Sequence, residues 1–222
     1  MDNYVVPLMF KGALMKTVML ENKAIAPSKI LCIGRNYVDH IHELGNEIPD
    51  DMVVFFKPNS AISTQLYSQH LGETLHYETE LCFLYQQGRF SHVGVGLDLT
   101  KRELQSKLKA KGLPWEKAKA FDGAALFSPF VAIDDPSAQF QFSLSIDGVL
   151  TQEGDIDLMI YPPQTILSEL QRFTRLEDGD IVMTGTPKGV GIIPPNRVFK
   201  VTLGLKDASH QAPLVENEWQ SQ

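Results

Sequence analysis

Short apolar runs separated by polar residues dominate this chain. Lys29 to Gly34 is almost wholly apolar, which predicts a short buried strand, and Val53 to Lys57 repeats the pattern. His76 to Tyr85 begins with alternation and becomes apolar, and Val93 to Leu99 is a further strand-like run. The two glycines of the last run allow close approach of a neighbouring backbone.

Three segments have helical periodicity. Residues 36–45 carry one apolar stripe, with Asn36 as the expected N-cap. Thr100 to Glu103 reads as a capping box that opens a second helix, which ends at Gly112. Residues 164–175 form a third, amphipathic helix.

The strongest local signal is a hairpin over Ser143 to Thr151, with Asp147 and Gly148 at its turn. Strands outnumber helices and do not alternate regularly with them, which predicts an α+β, mostly β fold. We expect residues 1–28 to form a short N-terminal region with one or two strands. Residues 29–222 then form a single catalytic domain.

Composition excludes several classes of partner. The chain has 20 basic and 27 acidic side chains, so its formal charge of −7 argues against nucleic-acid binding. No apolar stretch approaches the roughly 18 residues of a membrane span. The apolar run at residues 5–10 is too short for a signal peptide, so the expected location is the cytoplasm. Cys32 and Cys82 lie in apolar runs and are expected to be buried free thiols.

Carboxylates at strand positions are the first candidates for chemistry. Glu78 and Glu80 are two apart, so a strand would point both to one face. Asp98 stands where another strand ends. Two carboxylates on one face repel unless a cation lies between them, and oxygen ligands suit Mg²⁺, Mn²⁺ or Ca²⁺. The same spacing also fits a solvated strand face.

A histidine and a glutamate on the first helix form the second candidate. His40 and Glu43 are three apart and therefore neighbours on the helix surface, whereas His42 lies on the far side. A carboxylate that orients an imidazole can make it a general base. The alternative is an ordinary surface ion pair.

Two further segments carry weaker signals. Thr184 to Gly191 (TGTPKGVG) follows an apolar strand and forms a tight loop with free hydroxyls, although its spacing does not match a phosphate-binding loop. It could also be a plain turn. Lys119 is flanked by alanines and a phenylalanine, so it either points into a pocket or is simply solvated.

Taken in order, several segments resemble the fumarylacetoacetate hydrolase family. The similarity is closest to its small single-domain branch of acylpyruvate hydrolases and oxaloacetate decarboxylases, and it runs from about residue 29 to about residue 191. The segments are IGRNYVDHIHEL, FFKPNSAI, HYETELCF, GLDLTKRELQ, GLPWEKAKAFDGAA and DGDIVMTGTPKGVG.

The resemblance implies a mixed β-sandwich roll with few helices, usually as a homodimer. It implies Mg²⁺ or Mn²⁺ at the carboxylates matching Glu78, Glu80 and Asp98. His40 and Glu43 would form a catalytic dyad on a mobile lid. The remaining matches are a catalytic Lys119 and the substrate-binding positions Gln105, Thr186, Arg35 and Lys57.

The implied substrate is a small 2-oxo acid. Hydrolysis of the C–C bond of acylpyruvates is the first activity, and oxaloacetate decarboxylation would pass through the same pyruvate enolate. Two alternatives stay open. One is an isomerase or decarboxylase of unsaturated dicarboxylic 2-oxo acids from aromatic catabolism. The other is a metal- or ligand-binding domain without turnover.

Overall fold

A computed structural model describes residues 15–135, 137–206 and 212–222, so the apolar run at residues 5–10 lies outside it. Within these ranges, no helix is both long enough and apolar enough to cross a membrane. The helices are α1 Val38–Glu43, α2 Arg102–Ala110, α3 Glu116–Lys119 and α4 Pro163–Gln171. The strands are β1 Val18–Leu20, β2 Lys23–Ile25, β3 Lys29–Gly34, β4 Val53–Pro58, β5 Gln69–His70, β6 Glu73–Thr74, β7 His76–Tyr77, β8 Thr79–Gln86, β9 Arg89–Asp98, β10 Ala125–Phe127, β11 Val131–Ala132, β12 Phe140–Ile146, β13 Val149–Asp155, β14 Ile181–Met183, β15 Gly191–Ile192, β16 Val198–Leu205 and β17 Val215–Gln220.

The larger sheet has the strand order β10-β9-β8-β14-β3-β4, and β11 also pairs with β9. Its β14–β3 pair is parallel and its other pairs are antiparallel, so the sheet is mixed. Residues 79–84 of β8 are all buried because both faces of this sheet are covered. A strand that is covered on both faces is mostly apolar in sequence, and β8 has such a sequence.

The smaller sheet is antiparallel, with the order β13-β12-β16-β17. Its strand β12 alternates between buried and half-exposed residues, as expected for a sheet with one wet face. Its inner face packs on the larger sheet, where the ring centroids of Phe83 and Phe140 are 6.3 Å apart, and on β7, where those of Tyr77 and Phe199 are 5.4 Å apart. The expected α+β, mostly β sandwich is confirmed.

Several local predictions are confirmed. Strand β3 has the predicted bounds, and the predicted hairpin is β12–β13. Its turn places both Asp147 (φ 49°) and Gly148 (φ 80°) in the left-handed region, which suits a two-residue hairpin. Cys32 and Cys82 are buried free thiols.

Both predicted helix caps are wrong, because each polar side chain has a tertiary partner. Asn36 precedes α1 without capping it; its side-chain amide donates to the Thr184 carbonyl at 2.8 Å and so joins β3 to β14. Thr100 does not cap α2, and its hydroxyl instead donates to Glu78 Oε1 at 3.1 Å. In each case, a long-range hydrogen bond formed where water is excluded replaces the local capping bond.

Three predicted elements differ in extent or burial. The third helix, α4, ends at Gln171, so Phe173 lies beyond it and is 58% exposed. Strand β4 lies at a sheet edge, which leaves three of its six residues half-buried and two exposed. The strand predicted over residues 76–85 is interrupted at Glu78, because β7 pairs with β15 whereas β8 pairs with β9.

Candidate metal and substrate site

Three buried carboxylates meet where β7, β8 and β9 approach one another. Glu78 lies in the break between β7 and β8, Glu80 is on β8, and Asp98 ends β9. The Asp98 amide donates to the Glu78 carbonyl at 2.8 Å, which sets the register of the two chain segments. One oxygen from each carboxylate lies within 4.8 Å of the others. A solvated strand face is therefore excluded.

Cationic side chains neutralise part of this acidic cluster. The Lys119 ammonium lies 2.9 Å from Glu78 Oε2 and 2.6 Å from Asp98 Oδ2, and Arg102 binds the other oxygen of Glu78. Burial alone would raise the pKa of Glu78, but the charges of Lys119 and Arg102 lower it. Burial would also lower the pKa of Lys119, but Asp98 and Glu78 raise it, so Lys119 is a cation.

Glu80 has no such cationic partner among the described residues. Its Oε2 accepts a 2.7 Å hydrogen bond from the Gly185 amide. Burial and the neighbouring carboxylates Asp98 and Glu78 raise the pKa of Glu80 well above its ordinary value. A divalent cation would remove this repulsion and allow all three carboxylates to ionise.

The candidate ligand atoms of the cluster are all carboxylate oxygens. Among them, the buried Asp98 Oδ1 lies 2.8 Å from the Lys57 ammonium, which also donates to the carbonyls of Leu99 and Lys119. A cluster of oxygen atoms alone suits a hard ion. The three carboxylates thus fit Mg²⁺ or Mn²⁺.

The predicted dyad forms next to these carboxylates. His40 Nδ1 lies 3.1 Å from Glu43 Oε2 on α1, and the imidazole is buried in the wall of the same cavity. The second oxygen of Glu43 accepts from the Gly189 amide at 2.9 Å. Because this bond fixes the carboxylate from outside α1, the pair is more than a surface contact between helical neighbours.

The loop over residues 184–191 connects the carboxylates to α1. Its Thr186 hydroxyl lines the cavity and accepts from the Gln152 side chain at 2.9 Å. Further along, Lys188 Nζ lies 2.8 Å from Asp39 Oδ2 at the start of α1. The loop therefore contacts both a metal-ligand candidate, through Gly185, and the dyad helix, and is not a plain turn.

One face of α2 completes the cavity. Arg102, Gln105 and Lys109 are spaced i, i+3, i+7 and all line it. Arg102 also donates to Gln105 Oε1 at 2.8 Å. Arg102, Lys109 and the loop residue Asn46 were not among the predicted site residues. The spacing of Arg102 and Lys109 around Gln105 could have indicated both, whereas nothing local marks Asn46.

The structure brings eight of the ten predicted site residues to one cavity of ≈ 40 Å³: Arg35, His40, Glu78, Glu80, Asp98, Gln105, Lys119 and Thr186. Glu43 contacts the cavity residue His40, and Lys57 contacts the cavity residue Asp98. The substrate contacts of all these residues stay predictions.

Comparison with known proteins identifies the class of molecule. The profile described as "Fumarylacetoacetate (FAA) hydrolase C-terminal" matches residues 29–215. The chain belongs to the fumarylacetoacetate hydrolase family.

Two curated relatives are similar to this chain over most of their length. Oxaloacetate tautomerase YcgM of Escherichia coli is 36% identical over 196 residues, which cover 79% of this chain and 88% of that protein. The mitochondrial oxaloacetate tautomerase FAHD1 of Arabidopsis thaliana is 34% identical, with 88% and 94% covered.

Solved structures show the same architecture. A crystal structure of fumarylpyruvate hydrolase from Pseudomonas aeruginosa, in complex with Mn²⁺ and pyruvate, superposes with a TM-score of 0.82. It is 28% identical, with 96% of this chain and 98% of that chain covered. The expected single domain, homodimer and cytoplasmic location stay predictions.

Proposed function

We propose that this protein is a divalent-metal-dependent enzyme that interconverts the keto and enol forms of oxaloacetate. One observation carries the proposal: His40 lines the same small cavity as Glu78, Glu80 and Asp98. A general base and a cation site on one cavity are what proton abstraction next to a 2-oxo group requires. The curated relatives named oxaloacetate tautomerase support this choice of substrate.

The metal would be held by Glu78, Glu80 and Asp98. Bound there, Mg²⁺ or Mn²⁺ supplies a Lewis acid and a template for the carboxylate and 2-oxo oxygen of the substrate. Lys57 holds Asp98 from behind, and the Gly185 amide holds Glu80. These contacts keep the oxygens in place before substrate arrives.

His40 moves the proton. Its Nδ1 faces Glu43, so Nε2 is the nitrogen left for the substrate. In the keto-to-enol direction, Nε2 takes a proton from C3, the enolate forms, and the imidazolium then protonates the enolate oxygen. Lys119, a buried cation, stabilises the negative charge on that oxygen.

We propose that α1 moves to admit the substrate. A cavity of ≈ 40 Å³ holds little more than a water molecule, whereas small-molecule sites usually measure about 300–1,000 Å³. The Lys188–Asp39 contact that holds α1 is exposed and weak enough to open. We therefore assign α1 the role of the predicted lid.

Hydrolysis of acylpyruvates is the second candidate, because the same dyad could activate water instead of abstracting a C3 proton. Water attack on the distal carbonyl would break the C–C bond and release the same kind of enolate, so no further residue is needed. The solved relative named fumarylpyruvate hydrolase, in complex with pyruvate, supports this reading.

The deciding experiment follows enol-oxaloacetate disappearance and pyruvate release from acetylpyruvate in parallel, with Mg²⁺, Mn²⁺ or chelator. We expect metal-dependent enol disappearance that His40→Ala abolishes. His42→Ala, on an exposed residue of the same helix, is the matched control and should behave as wild type. Pyruvate release from acetylpyruvate alone would make hydrolysis the function, and turnover of neither substrate would overturn both.

A further inference from the structure

Two basic side chains on the cavity wall share one neutral acceptor. Arg35 Nη2 and Lys109 Nζ each donate to Asn46 Oδ1 at 3.1 Å. Arg35 follows β3, Lys109 is on the last turn of α2, and Asn46 lies just after α1. Three separate elements therefore converge on one point at the cavity wall.

These two cations differ from the others in the site. Arg102 and Lys119 pair with the metal-ligand candidates, but Arg35 and Lys109 have no carboxylate within 4.0 Å in the part of the chain described. Burial lowers the pKa of Lys109, and the charges of Arg35 and Arg102 lower it further. An incoming anion would relieve this repulsion.

The backbone of Arg35 and the side chain of Lys109 are each constrained without an anion. Arg35 has a φ of 56°, a left-handed backbone that costs energy in a residue with a Cβ and that concentrates at functional sites. The Lys109 ammonium lies 5.6 Å from the centroid of the Trp115 ring, which fixes the end of its flexible stem.

We propose that Arg35 and Lys109, positioned by Asn46, bind the distal carboxylate of a dicarboxylic 2-oxo acid. This inference rests on the proposed function, in which the carboxylate triad and its metal hold the 2-oxo acid end. The substrate then spans the cavity, with its second carboxylate between two cations that have no anionic partner among the described residues. A monocarboxylic 2-oxo acid leaves this pair unmatched, so the arrangement selects for two negative charges.

The kinetic test compares matched substrates and variants. Lys109→Met keeps the aliphatic stem and removes the charge. Its kcat/KM should fall about 10- to 100-fold for oxaloacetate or fumarylpyruvate, and less than about 3-fold for acetylpyruvate, because a charged hydrogen bond contributes about 1.5–3 kcal/mol. Lys107→Met, at an exposed position of the same helix, is the control. An equal loss on both substrate types would overturn the proposal.

A second variant adds a negative charge between the two cations without changing the shape of the side chain. Asn46→Asp places a carboxylate between Arg35 and Lys109, so it should compete with the distal carboxylate and lower kcat/KM for dicarboxylic substrates only. Dicarboxylate kinetics equal to wild type would contradict the assignment.

Binding measurements separate this inference from the proposed reaction. Malate and lactate are unreactive 2-hydroxy acids that differ by one carboxylate. With Mn²⁺ present, malate should bind wild type at least about 10-fold more tightly than lactate, and Lys109→Met should remove the difference. Discrimination without turnover of any 2-oxo acid would refute the reaction alone; equal binding of malate and lactate would refute the subsite.

Discussion

The amide of Gly189 donates a 2.9 Å hydrogen bond to Glu43 Oε1, although 146 residues separate the two in the chain. The other oxygen of Glu43 faces His40 Nδ1. The loop after β14 therefore sets the orientation of a carboxylate that in turn orients the proposed base. The lid that we propose for α1 would become competent only when it docks on this loop.

Gly189→Ala should disturb the docking of α1 on this loop without preventing the protein from folding. Its φ is +97°, and an added Cβ would lie 2.3 Å from the Thr151 carbonyl oxygen, so the loop must shift and lose its bond to Glu43. We expect kcat to fall at least about 10-fold, as misplaced catalytic groups commonly cause, with Mn²⁺ affinity unchanged. Gly148→Ala is the control, because that glycine also has positive φ but meets nothing within 4 Å. Equal kcat in the two variants would show that the Gly189 contact is unimportant.

Lys188→Met should loosen the lid without unfolding the protein. The Lys188–Asp39 pair is solvent-exposed, so its loss is expected to leave the thermal midpoint unchanged. Amide hydrogens of α1 should exchange faster than in wild type. KM should change, whereas the thermal midpoint should not. Lys200→Met removes the ion pair with Glu216 between β16 and β17 and serves as the reference. Identical α1 exchange in both variants would exclude a latch.

Glu80→Gln should weaken metal binding without lowering the stability of the metal-free protein. Glutamine keeps an oxygen for the Gly185 amide but removes an ionisable carboxyl group that, within the described ranges, has no cationic partner. Mn²⁺ affinity should fall by at least the roughly 10- to 100-fold that loss of an outer-shell partner costs. Without metal, the variant should be as stable as wild type or more so. Calorimetric titration and thermal melts test both, and wild-type Mn²⁺ affinity would remove Glu80 from the ligand set.

Asp180 should make the fold sensitive to acid. Burial would raise the pKa of Asp180, but hydrogen bonds from the Glu177 amide, Lys29 and Ser28 lower it below 3.8. Because the pKa is lower in the folded state, the stabilisation is present above about pH 4 and is lost as the pH falls through the folded value.

Asp180→Asn tests that dependence. Hydrogen bonds to a charged group contribute about 1.5–3 kcal/mol, so the variant should be less stable by about that amount near neutral pH. The difference should shrink as the pH falls below about 4, where the carboxyl of the unfolded chain becomes protonated, towards the lower pKa of folded Asp180. Urea unfolding between pH 3 and 7 measures it, and a difference independent of pH would show that the charge of Asp180 does not matter.

Local patterns were sufficient wherever one segment decides its own structure. Strand β3 and the Asp147–Gly148 hairpin follow from apolar runs and turn residues. Asn36 and Thr100 were mispredicted because their bonding partners, Thr184 and Glu78, are distant in sequence. The residue types indicated that these side chains form hydrogen bonds, but the sequence did not indicate with which partners.

The sequence by itself determined the sheet-rich fold, and its resemblance to a known family indicated the ten candidate site residues. Only the tertiary structure decided that Lys109 and Arg35 meet at Asn46 and that Gly189 holds Glu43. Strand and turn propensities act between near neighbours, so they can be read along the chain. Burial, electrostatic repulsion and hydrogen bonding across a cavity depend on which distant segments pack together, and packing is set by the whole fold.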